Sequence, residues 1–407
     1  MGKIGYITGG VTAPLGFTAN GIHCGVRKNR TKKDLAIILS ERIGAAAAVY
    51  TTNAVKGAPI AVTKENIADG YASGFVCNSG IANTCAPNGI RHAQTMCAEV
   101  AASFGVKAND IIVASTGVIG QELPIDAITS GIRALKGTLT KEGGEDAATA
   151  IMTTDTIKKE AAATAIIGGK KVTIGGIAKG SGMIHPNMAT MLVFVTTDAD
   201  ITPELLKVAL KASAEDTFNM LSVDGDTSTN DTLAIIANGK AENAKITQKG
   251  ADFTAFKKLL TAVTSKLCKM LARDGEGATK LLVCTVTGAA SKAQAKKCAR
   301  GVISSSLFKA AMCGADANWG RILCAMGYSD PTLNYDKTSV SFSSVKGEIV
   351  VCESGTGIEF SEERAQEILL EEEINININI NYGKYSASAF GCDLTKKYVE
   401  INGDYRS

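Results

Sequence analysis

Histidine is scarce in this chain of 407 residues: only His23, His92 and His185 occur. No HExxH pair is present, which excludes the zinc-protease pattern. No GxSxG elbow accompanies them, so a Ser-His-Asp triad lacks its frame. Aromatic residues make up 5% of the chain, the net charge is +3, and no polybasic block occurs. Base stacking and phosphate neutralisation both lack their materials, so nucleic acid is not an expected partner. No apolar run reaches the length that spans a bilayer. The amino terminus has no charged start, apolar core and small-residue cleavage site, and Tyr6 stands where a myristoylation pattern needs Ser or Thr. These absences lead to the expectation of a cytoplasmic protein with no membrane partner.

Eleven cysteines are scattered without a CxxC pair. Zinc-ribbon and thioredoxin-type readings therefore fail, and reduced thiols serving as small buried hydrophobes are expected. "DGEGATK" from Asp274 has glycines but not the rest of a nucleotide fingerprint. "VDGDTSTND" from Val223 lacks the glycine and the closing glutamate of a calcium loop at the required offsets. No metal is expected.

What is present is a mixture of strands and helices. The hydrophobic fraction of 45% and charged fraction of 20% suit a globular protein with a sizeable core. β-Branched runs bounded by Gly, Asn or Asp mark strands around Phe75 and from Asp110, Lys170, Met191, Asp231 and Lys280. Helical spacing marks 90–105, with Gly105 as C-cap, as well as 202–219 and 251–275. A further helical region, 293–314, is expected to break near Gly301. In the tail, "SVSFSSVKGEIVVCESGTGIEF" reads as strands joined by turns. The strict Ile-Asn alternation from Ile374 to Asn381 has the period of a strand with one apolar face. Without regular βαβ alternation, the class is α/β or α+β with layered sheets.

Several polar, glycine-rich segments close apolar runs, where scaffolds present chemistry. One is "KGSGMIHPNMATMLVFVTTDAD", Lys179 to Asp200, which passes from an irregular loop into an apolar strand with Thr190 at the joint. A threonine hydroxyl is a poor nucleophile without an adjacent base. Breaking the Ala189-Thr190 peptide bond would supply one on the same residue: the new α-amino group, with a reference pKa of about 8. The other reading of Thr190 is a β-branched strand residue with a satisfied hydroxyl.

"GSGMIHPNMATML" closely resembles the autoprocessing site of the ornithine acetyltransferase family, the glutamate N-acetyltransferases of arginine biosynthesis. "GGVTAPLGF", "AVYTTNAVKGAP", "NSGIANTC", "ASTGVIG", "IMTTDT", "DGDTSTNDT", "RDGEGATKL", "GADANWGRI" and "GCDLTKKYVEINGDYRS" resemble family segments in the family's order. The resemblance covers essentially the whole chain.

It implies a fold similar to the N-terminal-nucleophile hydrolases, with layered sheets and helices. It implies self-cleavage into 1–189 and 190–407, with a C-terminal α/β region from about 280 and two copies of each chain in a heterotetramer. The implied reaction takes acetyl from N-acetylornithine onto Thr190 and passes it to glutamate, by ping-pong kinetics and without a cofactor. Acetyl-CoA is a second donor in the bifunctional form. An aminopeptidase or amidase of similar fold is the alternative class. By matching motifs, Thr190 is the nucleophile and Thr116 and Gly117 form the oxyanion hole. Thr156, Lys179, Glu276, Asn402 and Ser407 match substrate-contacting positions. The family ends in threonine where this chain has Ser407, a change that keeps the hydroxyl. The Ile-Asn run is less varied than the family's strand there, which puts its packing in question. His185 reads as loop structure, because the N-terminal amine makes a histidine base unnecessary.

Overall fold

The computed structural model describes residues 3–185 and 191–403. The chain divides into two units. One takes Met1–Gly180, Asn187–Glu215 and Thr227–Leu267, and the other Ser181–Pro186, Asp216–Asp226 and Cys268–Ser407. Each unit thus draws on sequence from both sides of Ala189-Thr190.

The first unit is built on a nine-stranded sheet. Its strands are β1 (Gly5–Ile7), β2 (Phe17–Ile22), β3 (Leu35–Tyr50), β4 (Tyr71–Ile81), β5 (Ile111–Val118), β6 (Lys159–Ile167), β7 (Lys170–Lys179) and β8 (Leu192–Thr197). After a two-residue strand of the other unit, β9 (Leu221–Ser222), β10 (Thr232–Ala237) completes it. The order is β1-β6-β7-β8-β10-β3-β4-β5, with β2 alongside β3.

The central strands β8 and β10 are buried throughout because both faces of the sheet are covered there. Period-two geometry sends alternate side chains to opposite cores. Ile37, Val76, Ile111 and Val113 join one core with Met96, Val100 and Ile132. Their neighbours Ile38, Phe75, Ile112 and Ala114 join another with Phe17, Ile177 and Phe194. The first core lies under α2 (Gly89–Phe104) and α3 (Ile125–Ala134), which follow α1 (Ala58–Asn66) in the chain. The second is closed by α4 (Gly144–Ala150). Gly105 ends α2 in the left-handed conformation, as its C-cap position requires.

In the second unit, the strands β11 (Leu281–Ala289), β12 (Ser339–Ser344), β13 (Gly347–Glu353), β14 (Thr356–Gly357), β15 (Glu373–Asn379) and β16 (Tyr385–Cys392) join β9 in one sheet, ordered β14-β13-β12-β15-β11-β16-β9. The Ile-Asn strand β15 is central, held between β12 and β11. Ile374, Ile376 and Ile378 are buried in a core with Phe308, Ile322 and Phe342. On the other face, Asn377 Nδ2 donates to Ser343 Oγ at 3.1 Å. The repetitive strand is therefore paired on both edges, with its isoleucine face buried.

The expected helix break at Gly301 is corrected. Gly301 lies inside the helix Lys292–Ser304, where a Cβ would come within 2.0 Å of Ser329 Oγ. This glycine serves close helix packing. The break falls at Ser305, whose hydroxyl caps the next helix, Ser306–Cys313, by accepting the Phe308 N–H. All eleven cysteines are free thiols, and seven are buried.

Candidate functional site

Strands β4 and β5 run parallel, placing Ser79 opposite Thr116 and Gly80 opposite Gly117. Thr116 is buried near the end of β5. Gly117 has φ +131°, and a Cβ there would sit 2.2 Å from the carbonyl carbon of Gly80. Only glycine fits both that conformation and that approach.

Lys179, the last residue of β7, is 3% exposed, and its Nζ donates to Thr116 Oγ1 at 3.1 Å. A hydroxyl that accepts this bond keeps its own proton free to donate elsewhere. Burial lowers the Lys179 pKa from the usual lysine range. Asp155 opposes that shift, Lys159 adds to it, and the more weakly felt Asp231 also opposes it.

Asp155 had no predicted role, although its neighbour Thr156 did. Its carboxylate accepts from Lys159 Nζ at 2.6 Å, the Gly180 N–H at 2.7 Å and the Thr153 N–H at 2.9 Å. Burial alone would raise its pKa. The Lys179 and Lys159 cations and the Gly180 N–H outweigh burial and hold it at about 2. Asp155 therefore anchors the backbone directly after Lys179. Thr156 itself is exposed.

Asp231 was also missed. It is fully buried, and its Oδ1 accepts the N–H of Met191 at 2.8 Å. Its other carboxyl oxygen has no hydrogen-bond partner among the described residues. Burial pushes its pKa well above the carboxylate range, against the pull of the Met191 N–H and Lys179. Asn230 fixes this loop, because its Nδ2 donates to the carbonyls of Ala82 at 2.6 Å and Ser115 at 2.9 Å. A buried acid just before the apolar strand "TLAIIA" was the available signal for Asp231.

Ala189, Thr190 and Ser407 lie outside the described residues. The strand that follows Thr190 is described: β8 is buried throughout and lies between β7, antiparallel, and β10, parallel. Thr116, Gly117, Lys179 and the two aspartates thus belong to one unit.

Glu276 and Asn402 belong to the other unit and meet there, Asn402 Nδ2 donating to Glu276 Oε2 at 2.8 Å. A Cβ on Gly182 would lie 2.4 Å from the Glu276 carboxyl carbon, so a larger residue there would displace the Glu276 carboxylate. The Glu276 N–H donates to the Ser181 carbonyl at 2.9 Å. Asp224 holds the loop between them in sequence, accepting the N–H groups of Met183 and, at 2.9 Å, Ile184. His185 is half-buried with Nδ1 3.2 Å from Ser222 Oγ, a loop contact as expected. Among the described residues, no group of three or more His, Cys, Asp or Glu is placed to hold a metal ion. No described helix is long and apolar enough to cross a membrane.

A family model described as the ArgJ family matches residues 18–407. The arginine biosynthesis bifunctional protein ArgJ of Caldanaerobacter subterraneus subsp. tengcongensis is 46% identical over 402 residues, covering 98% of this chain and 99% of that protein. The protein of the same name from Symbiobacterium thermophilum is 48% identical over 404 residues, covering 99% and 100%. A crystal structure of arginine biosynthesis bifunctional protein argJ from Bacillus halodurans is similar, with a TM-score of 0.50 and 44% identity, covering 52% of this chain and 98% of that one.

Proposed function

The chain belongs to the ArgJ family and is an acyltransferase of arginine biosynthesis, and on that premise we propose that it carries acetyl from N-acetylornithine to glutamate on Thr190. The Lys179–Thr116 hydrogen bond beside Gly117 supports this reading most directly. A lysine that donates to Thr116 polarises its O–H toward an oxyanion, and the Gly117 N–H supplies the second donor.

In the proposed processing step, the Thr190 hydroxyl attacks the Ala189 carbonyl and the peptide nitrogen leaves as the new amine. Water then hydrolyses the ester, leaving a carboxylate on Ala189. In turnover, the Thr190 hydroxyl attacks the acetyl carbonyl, its proton passing to the amine and on to the departing ornithine nitrogen. Glutamate's amine attacks the acetyl ester to return the free hydroxyl. Thr156, Lys179, Glu276, Asn402 and Ser407 are the proposed substrate contacts. An acid and a lysine suit substrates that carry both an amine and a carboxylate.

The woven sheet supports a processed pair that stays together: β8 and β10 of the second product would lie between β7 and β3 of the first. A cytoplasmic heterotetramer working without a cofactor, with acetyl-CoA as a second donor, completes the proposal. Intact mass of the purified protein beside Thr190→Ala tests it. Wild type should give two chains and the variant one. A fully active single wild-type chain, or an equally cut variant, would overturn it. Assaying glutamate acetylation with each donor alone decides the acetyl-CoA arm. Hydrolysis of N-acetylornithine outrunning transfer would favour an amidase instead.

A further inference from the structure

A cleft of about 660 Å³ lies in the first unit between the start of α1 and the start of α2. Its charged lining residues are Lys56, Lys64 and Arg91, and no Asp or Glu lines it. None of the three cations forms an ion pair among the described residues. Lys64 instead lies over the Tyr50 ring, 5.1 Å from its centroid. Three like charges around one hollow repel one another, a cost that a bound anion would reverse.

Two further observations point to an anion there. The N–H groups of Ile90 and Arg91, in the first turn of the sixteen-residue α2, have no carbonyl partner among the described residues. Open N–H groups at the positive end of a helix dipole bind negative oxygens. Asn83 also lines the cleft and is completely buried. Its Nδ2 donates to the Gly89 carbonyl at 2.9 Å, while its carboxamide oxygen has no partner among the described residues. An unpartnered acceptor in the same lining as three cations suits an anion that also carries a proton, such as a hydrogen phosphate. Glu122, bonded to Asn88 Nδ2 and 3.8 Å from His92 Nε2, is outside the lining.

We propose that this cleft is a second ligand site, separate from the acetyl-transfer residues, that binds a phosphate group, either free or as the monoester of a small molecule. Three cations match a dianion better than a carboxylate, and Arg91 can bind two phosphate oxygens at once.

Calorimetric titration of the full-length protein tests this, with inorganic phosphate, adenosine monophosphate and acetate as separate probes. The variant is Lys56→Ala/Arg91→Ala, with the single Lys56→Gln as a second variant should the double one not fold. Phosphate or the monoester should bind wild type saturably, at one site per chain. The double variant should bind at least tenfold more weakly, with acetyl transfer from N-acetylornithine unchanged. A monoester tighter than phosphate identifies a phosphorylated molecule as the ligand; equal affinities identify free phosphate. The proposal falls if neither phosphate probe binds saturably, if acetate binds as tightly as phosphate, or if the variants bind like wild type.

Discussion

Replacing Asp155 by Asn tests the buried network that holds Lys179. The substitution keeps the side-chain volume and removes the charge. The Lys159 ammonium, wholly buried, then faces a neutral amide in place of its 2.6 Å carboxylate partner, and Lys179 loses the carboxylate that favours its charged form. Uncompensated buried cations cost about 3–5 kcal/mol. The shift of the Asp155 pKa from 3.8 to about 2 gives an independent figure. At 1.36 kcal/mol per unit it corresponds to about 2 kcal/mol. The expected loss is therefore about 2–5 kcal/mol at neutral pH. The sign with pH follows from a lowered folded-state pKa. The contribution is complete above 3.8 and disappears as pH falls through about 2. The assay is denaturant unfolding in a Thr190→Ala background, which keeps one covalent chain, with and without Asp155→Asn, from pH 7 down to pH 2. The gap in stability should be full at neutral pH and close toward the acid end. Adding Lys159→Met should recover roughly 1 kcal/mol or more, because it removes a stranded charge. A gap below about 0.5 kcal/mol at pH 7, the range of ordinary surface substitutions, would refute the reasoning. So would a gap that does not change with pH.

Thr116→Ala should slow acetyl transfer roughly tenfold to a thousandfold by removing one oxyanion donor, read as single-turnover rate, with the melting temperature little changed. Gly117→Ala should fail on two counts, a positive φ and a Cβ 2.2 Å from Gly80, so soluble yield and denaturant midpoint should both drop. Asp231→Asn should cost less stability near neutral pH than Asp155→Asn, because burial raises the pKa of that carboxyl and so disfavours its charged form. Its effect should appear instead in transfer rate or processing, followed by kcat and intact mass. A loss of stability as large as that of Asp155→Asn would count against a raised Asp231 pKa.

Much of the site was legible because it is written in segments where the backbone itself is constrained. "ASTGVIG" ends a parallel strand at a glycine that no other residue could replace, and "KGSG" ends β7 with a buried lysine. The strands from Phe75, Asp110, Lys170 and Lys280 were found from β-branched runs, because continuous burial on both faces leaves that composition. The two aspartates were not singled out. A lone Asp in a polar loop reads as solvated until its surroundings are known. Only folding shows that Asp155 faces two lysines and that Asp231 holds the Met191 N–H. Gly301 misled for the same reason: inside a helical pattern it looks like a break, and only the approach of Ser329 shows that it is a contact.

The sequence by itself determined the family and the alternation of a strand such as "ININININ", because these depend on residue type and local period. Tertiary structure decided which residues share a site. It put Thr116 on a strand beside β4 and Lys179 at the end of β7, 63 positions apart in sequence but 3.1 Å apart in space. It also made the Ile-Asn strand an interior one, with both edges paired. Pairing order and burial arise from long-range contacts, and no local pattern encodes which strand a given strand will adjoin.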